Sequence, residues 1–131
     1  MEIITPEKQF FSGEVEEIIV TTPDGEMGIL NNHYPTVAGL VPGSIRILVD
    51  GNWREAANGE GFIEVLPDKT TVIVQTAEWP EELDKARIEA NILKAEERIR
   101  QKKSMLEFRM GKMSLARAFA RLKVLNRNKG E

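Results

Sequence analysis

Arg117 and Arg121 stand four residues apart in a run of helix formers, so a helix would carry both guanidinium forks on one face, one turn apart. Planar forks suit phosphate oxygens better than ammonium groups do. Upstream, Asp84-Lys85-Ala86-Arg87 sets a carboxylate three residues before a guanidinium, and Asp84 could accept from an amine. The same four residues also read as an ordinary helix start, with Asp84 satisfying the helix dipole and Arg87 in solvent; taken alone, the ordinary reading is the stronger. No catalytic set accompanies these groups. The sequence has no glycine-rich phosphate loop, no Ser-His-Asp set, no cysteine and a single histidine, His33. Binding without hydrolysis is what this chemistry allows, and disulfides, thiolate or multi-histidine metal sites and cysteine catalysis are excluded.

Two bodies of different composition must position these residues, and they meet at Pro80. Residues 1–80 hold 4 basic and 13 acidic side chains, whereas residues 81–131 hold 14 and 8, so a formal net charge of −3 hides an acidic part and a basic part. A length of 131 residues, 41% hydrophobic and 30% charged, fits one ordinary domain or two very small ones of soluble globular type. No apolar run approaches the ~20 residues needed to span a bilayer. MEIITPEK has neither the basic flank nor the apolar core of a signal peptide, and the expected compartment is the cytoplasm.

Before residue 78 the chain reads as short strands at 2–5, 8–12, 14–22, 25–30, 44–49, 53–57, 62–66 and 71–76. Val15, Ile18 and Val20 among Glu14, Glu16 and Glu17 show one buried face, as do Ile45, Ile47 and Val49 around Arg46 and Leu48. Asp24-Gly25, Asp50-Gly51-Asn52, Asn58-Gly59 and Pro67-Asp68 supply the turns. The fold class expected is α+β in two parts: an N-terminal antiparallel β-sandwich or barrel over 1–80, then a C-terminal two-helix hairpin over 81–131. The sandwich needs no helix for its core, which leaves the hairpin free for another task.

A first helix is predicted from near Glu81 to about residue 104. Leu83, Ala86, Ala90 and Leu93 would form one apolar stripe and Ile88, Ile92, Ala95 and Ile99 a second, to be covered by the sheet on one side and the second helix on the other. Gly111 is predicted to break the helices. The second would run over 112–125 with Leu115, Ala118, Phe119, Leu122 and Leu125 on one face, and residues 128–131 would fray. From Arg109 to Arg127 there are six basic residues and no acidic one, which reads either as a solvated face or as a surface for an acidic partner, the sandwich included. Trp53 and Trp79 read as core or boundary anchors.

TPEKQFFSGEVEEI, DGEMGILNNHYPTVAGLVPGSIRI, GEGFIEVLPDKTTVIVQTAE, and LDKAR followed by SLARAFARL together resemble, in order and over the whole chain, the epsilon subunit of the F-type ATP synthase. Gly28, Ile29, Leu30, His33, Pro35, Pro42 and Gly43 carry the most characteristic block. Asn31 replaces a frequent proline, Tyr34 a small residue, and Glu60 interrupts a usual Gly-Gly pair.

The resemblance implies a non-catalytic, regulatory central-stalk subunit of a rotary ATP synthase. It would be bound to the gamma subunit and the c-subunit ring, peripheral to the cytoplasmic face of the bacterial membrane, and would help couple ion flow to ATP synthesis. It implies that the helices fold down as a hairpin or extend toward the catalytic alpha and beta subunits and inhibit hydrolysis, with Arg117, Arg121 and Lys123 on the inhibitory arm. No cofactor is required. ATP is implied as a regulatory ligand of the hairpin, at Glu78, Leu83, Asp84, Arg87, Arg117 and Arg121, with Ile88 a bulkier residue where Ala is usual. Glu26 and His33 fall in the block that resembles rotor-facing loops that contact c subunits and gamma. A nucleic-acid-binding module, presenting the basic helices to phosphates, is the competing class. The acidic sandwich, a pI near 5.4 and the lack of an aromatic stacking surface stand against it.

Overall fold

Strand alternation in the N-terminal part builds two facing sheets. The computed structural model describes residues 1–31 and 33–129. Its strands are β1 (Glu2–Ile4), β2 (Gln9–Ser12), β3 (Glu17–Thr22), β4 (Gly25–Leu30), β5 (Thr36–Leu40), β6 (Gly43–Val49), β7 (Asn52–Asn58), β8 (Gly61–Leu66), β9 (Lys69–Val74) and β10 (Ala77–Glu78). A 3-10 turn (Pro80–Glu82) leads to helices α1 (Lys85–Gln101) and α2 (Met105–Asn128). The first sheet has the order β2-β1-β9-β8-β5 and the second β10-β7-β6-β3-β4. All pairs are antiparallel except β1 with β9. Ile3, Ile63, Val65 and Val72 of the first sheet and Ile18, Val20, Ile45 and Ile47 of the second are all 3% exposed or less and form one core. Each such side chain contributes roughly 1.5–3 kcal/mol by leaving water.

The turn residues do what their chemistry allows. Asp50 (φ 50°) and Gly51 (φ 77°) both take positive φ between β6 and β7, the two-residue hairpin geometry that matches strand twist. Two short edge strands, β5 and β10, have no sequence signal of their own. Each pairs with a single neighbour, β8 and β7 respectively, so the neighbour sets them and not an alternating pattern.

Three expectations for the helices are corrected. The helix does not begin at Glu81: Pro80–Glu82 makes only a 3-10 turn, Leu83 is extended, and Asp84 is the true N-cap, its Oδ1 accepting from the N–H groups of Ala86 (3.0 Å) and Arg87 (3.3 Å). Gly111 is not a break. The chain reverses at Lys102, held at φ 48°, and Ser104 caps α2 by accepting from the Glu107 N–H at 3.0 Å. Gly111 lies buried inside α2 at a close helix crossing, where a Cβ would come within 2.9 Å of Ile99 Cγ1 and 3.3 Å of the Ala95 carbonyl oxygen. Finally, α1 is covered on one side only. Ile88 and Ala95 are buried, and Ile88 packs with Ala118 and Leu125 of α2, but Ala86, Ala90 and Leu93 are exposed.

The helix with two covered faces is α2. One face meets α1 through Gly111, Ala118 and Leu125; another, carrying Ala120 and Val124, packs on β6 and β7. Phe119, expected on the apolar face, is 49% exposed. Asn128 closes α2, and the rest of the expected frayed end beyond Lys129 lies outside the described residues.

Candidate functional site

The seam where α1, α2 and the end of the sandwich meet collects most of the residues singled out in the sequence. Asp84 enters it as the cap that starts α1, and Arg87 and Ile88 follow in the first turn. Glu78 comes from β10, and Arg121 from the face of α2 that turns toward the sandwich. With Leu83, Glu82 and Asn91 they line one cleft of about 270 Å³. A second cleft of about 280 Å³ adjoins it, lined by Asn91, Lys94, Ala95, Arg98, Ser114, Arg117 and Arg121. Asn91 and Arg121 belong to both, so the two form one groove, acidic and apolar at the Glu78 end and rich in cations at the other. Their combined size falls in the range of roughly 300–1,000 Å³ usual for small-molecule sites.

Asn91, Lys94, Arg98 and Ser114 were not expected. Their signal was present, since Arg87, Asn91, Lys94 and Arg98 repeat at helical spacing and must share one face of α1.

Three of the four arginines of α2, Arg117, Arg121 and Arg127, are paired with the sandwich. Arg117 makes a two-pronged contact with Glu60 in the β7–β8 turn, Nε to Oε2 at 3.2 Å and Nη2 to Oε1 at 3.0 Å. Hydrogen bonding from Arg117 holds the Glu60 carboxyl below the usual carboxylate range against the opposing cost of burial. Arg121 reaches Glu78, its Nε and Nη2 converging on Oε2 at 3.1 and 3.0 Å. The other oxygen of Glu78, Oε1, is buried without a partner among the described residues. Near the end of α2, Arg127 bonds Glu55 of β7 (Nε to Oε1, 3.1 Å) and Ser44 of β6 (Nη2 to Oγ, 3.4 Å). The basic face of α2 therefore rests on the acidic sandwich. Arg98 pairs with Glu107, which ties α1 to the start of α2 and draws the Glu107 carboxyl down through the same hydrogen bond.

The other expected residues lie elsewhere. Lys123 is exposed on α2 and lines a groove of about 550 Å³ with Phe119, Arg46 and Arg127. Glu26 on β4 pairs with Arg46 on β6. His33 follows β4 on the way to β5, stacks on Tyr34 at 4.7 Å, and has Nδ1 2.8 Å from the Tyr34 carbonyl; a carbonyl only accepts, so Nδ1 carries the proton. Trp79 sits at the joint between the two bodies as an anchor, stacked on Phe10 at 4.5 Å with the Arg54 guanidinium 3.9 Å from its ring.

Comparison with known proteins fits both halves. Residues 1–80 match the ATP synthase, Delta/Epsilon chain, beta-sandwich domain, and residues 81–126 the long alpha-helix domain of the same chain. The protein belongs to the ATP synthase delta/epsilon family. Within that family it is 46% identical to a protein of Ruminiclostridium cellulolyticum named ATP synthase epsilon chain, over 98% of this chain and 96% of that one. It is 44% identical to the epsilon chain of Caldanaerobacter subterraneus, over 97% and 93% respectively. The fold is similar to that of a chain in the cryo-EM structure of the Euglena gracilis mitochondrial ATP synthase, with TM-score 0.80 and 22% identity over 93% of this chain and 77% of that one.

Proposed function

We propose that this member of the delta/epsilon family is a non-catalytic epsilon-type subunit in the central stalk of a bacterial F-type ATP synthase, peripheral to the cytoplasmic face of the membrane. It helps couple ion flow to ATP synthesis through its sandwich and restrains ATP hydrolysis through its hairpin. The observation that carries this reading is the end-to-end similarity, at 46% identity, to a protein named ATP synthase epsilon chain. A bare apolar row supports a docking role for the sandwich toward gamma and the c ring. Phe62 (43% exposed) and Ile73 (38%) are register partners, Ile73 partners Ile4, and Val37 (70%) follows on the same face of β5, all on the first sheet, whereas the helices pack on the second. Glu26 and His33 are the expected rotor contacts outside that row.

The hairpin reads as an arm held by breakable contacts. Three guanidinium–carboxylate pairs hold α2 on the sandwich, at Arg117, Arg121 and Arg127. Partly exposed pairs of this kind contribute up to about 1 kcal/mol each, so the docked state is reversible. Released, Arg117, Arg121 and Lys123 would face acidic surfaces of the catalytic subunits. Deleting residues 81–131 from a reconstituted complex is expected to raise ATP hydrolysis, and an unchanged rate with the gamma contact intact overturns the regulatory reading.

The groove supports ATP as the ligand of the docked hairpin. Arg117, Arg121, Lys94 and Arg98 offer cationic donors for phosphates, and Glu78 lines the other end as the carboxylate acceptor for the adenine amine. Asp84 spends Oδ1 on its cap, so its contribution to the groove rests on its charge and its second oxygen. ATP at ~100 times its dissociation constant would stabilise the docked state by about 2.7 kcal/mol, enough to set the position of such an arm. Titration of the isolated protein should move the backbone chemical shifts of α2; no change at millimolar ATP sinks this part of the reading.

A further inference from the structure

Glu60 is held where its side chain has little choice of partner. The Gly59 N–H donates to the Thr76 carbonyl and the Gln75 N–H to the Glu60 carbonyl, both at 2.9 Å, so the backbone is fixed on each side of it. Gly61 keeps the turn against β9, since a Cβ there would fall 1.9 Å from the Ile73 carbonyl oxygen. From this seat the Glu60 carboxylate occupies the Nε–Nη2 edge of Arg117, an arginine that lines the cation-rich end of the groove. A carboxylate and a pair of phosphate oxygens present the same two-acceptor geometry to the Nε–Nη2 edge of a guanidinium, so that edge serves one of them at a time, and the Glu60 charge opposes a phosphate at the remaining Nη1 donors. Arg121 is engaged differently, because both of its contacts fall on a single oxygen of Glu78.

We propose that Glu60 is an internal anion that competes with nucleotide phosphate for Arg117 and so sets the affinity of the groove for ATP, an inference that rests on the ATP reading above. Being part of the chain, this competitor acts at an effective concentration of about millimolar or more, whatever the protein concentration. A ligand that takes Arg117 also frees Glu60 and removes one of the three pairs that hold α2 to the sandwich. Within the docked state, ligand and the Glu60–Arg117 pair therefore exclude one another, so removing the Glu60 charge tightens the ligand while the Arg121 and Arg127 pairs still hold α2.

The test is calorimetric titration of the full chain with ATP. Glu60→Gln keeps the shape and removes the charge, and is expected to bind ATP roughly fivefold more tightly than the wild type. Glu60→Gly, which removes the side chain, should move affinity the same way. The gain should vanish in an Arg117→Ala background. Glu55→Gln, which breaks the Arg127 pair at the other end of the contact, should leave affinity unchanged. Equal affinities for the wild type and both Glu60 variants overturn the competitor role while leaving ATP binding intact. An equal gain from Glu55→Gln overturns it as well, since general loosening of the arm would then be the cause. Failure of the wild type and of Glu60→Gln alike to bind at millimolar ATP overturns both this inference and the ATP reading.

Discussion

Gly111 shows how one residue type can carry opposite messages. In sequence it reads as a helix breaker, yet in the fold it is the contact that lets α1 and α2 approach, with Ile99 Cγ1 and the Ala95 carbonyl where a side chain would be. Gly111→Ala adds a better helix former, by about 1 kcal/mol, but forces that crossing apart at a cost of typically 1–3 kcal/mol. A net loss of helix stability is expected, read as a lower urea midpoint of the helical circular dichroism signal. Asp84 separates two roles in the same way. Asp84→Ala should cost about 1 kcal/mol through the lost cap, whereas Asp84→Asn should keep stability within a few tenths. If the groove binds ATP through the Asp84 charge, both variants will weaken that binding, and Asp84→Asn will do so without the loss of stability.

At the scale of elements, α2 is fastened to the sandwich by three ion pairs and by the buried Ala120 and Val124, and α1 is fastened by α2. Glu60 faces Arg117 and, at longer range, Arg121, and both lower its proton affinity from the ordinary 4.5. A carboxylate with a depressed folded-state value adds stability above its unfolded value and loses it as pH falls through the folded one. Docking of α2 should therefore be steady near neutrality and weaken progressively below about pH 4.5, while the sandwich core, built on Ile and Val, is unaffected by that titration. Amide exchange of α2 against that of β6 and β8 as a function of pH would show it. Equal loss of protection in helix and strands would contradict the charge-fastened arm. The short strands β5 and β10 belong to the same scale, since pairing with one neighbour places them and no pattern of their own announces them.

For the whole molecule, the sandwich core and the hairpin core are separate clusters, one around Ile3, Ile45 and Ile63 and the other around Ile88, Ala118 and Leu125. Residues 1–80 alone are expected to unfold cooperatively in denaturant. Residues 81–131 alone should lose the compact hairpin, because Ala120 and Val124 of α2 would be left without the sheet that covers them. The apolar row on the first sheet predicts a further separation. Phe62→Asp should barely change the stability of a side chain already 43% exposed, but should weaken association with a gamma subunit at least tenfold in a binding assay.

Local physics was legible without the fold. Alternating Ile and Val, four turns of the Asp-Gly, Asn-Gly and Pro-Asp kinds, the change of period at Pro80 and the opposite charges of the two parts all act within a few residues or by composition, and they specified a sandwich followed by a hairpin. The family resemblance brought Glu78, Leu83, Asp84, Arg87, Ile88, Arg117 and Arg121 together as a list, and the fold brings them to one seam. Tertiary structure decided what depends on partners distant in sequence: that α2 and not α1 is covered on both faces, that Gly111 is a crossing and not a stop, and that Glu60, 57 residues before Arg117, occupies its guanidinium fork. Such pairings depend on how two bodies settle on one another, and charge counted along the chain gives their sign but not their partners.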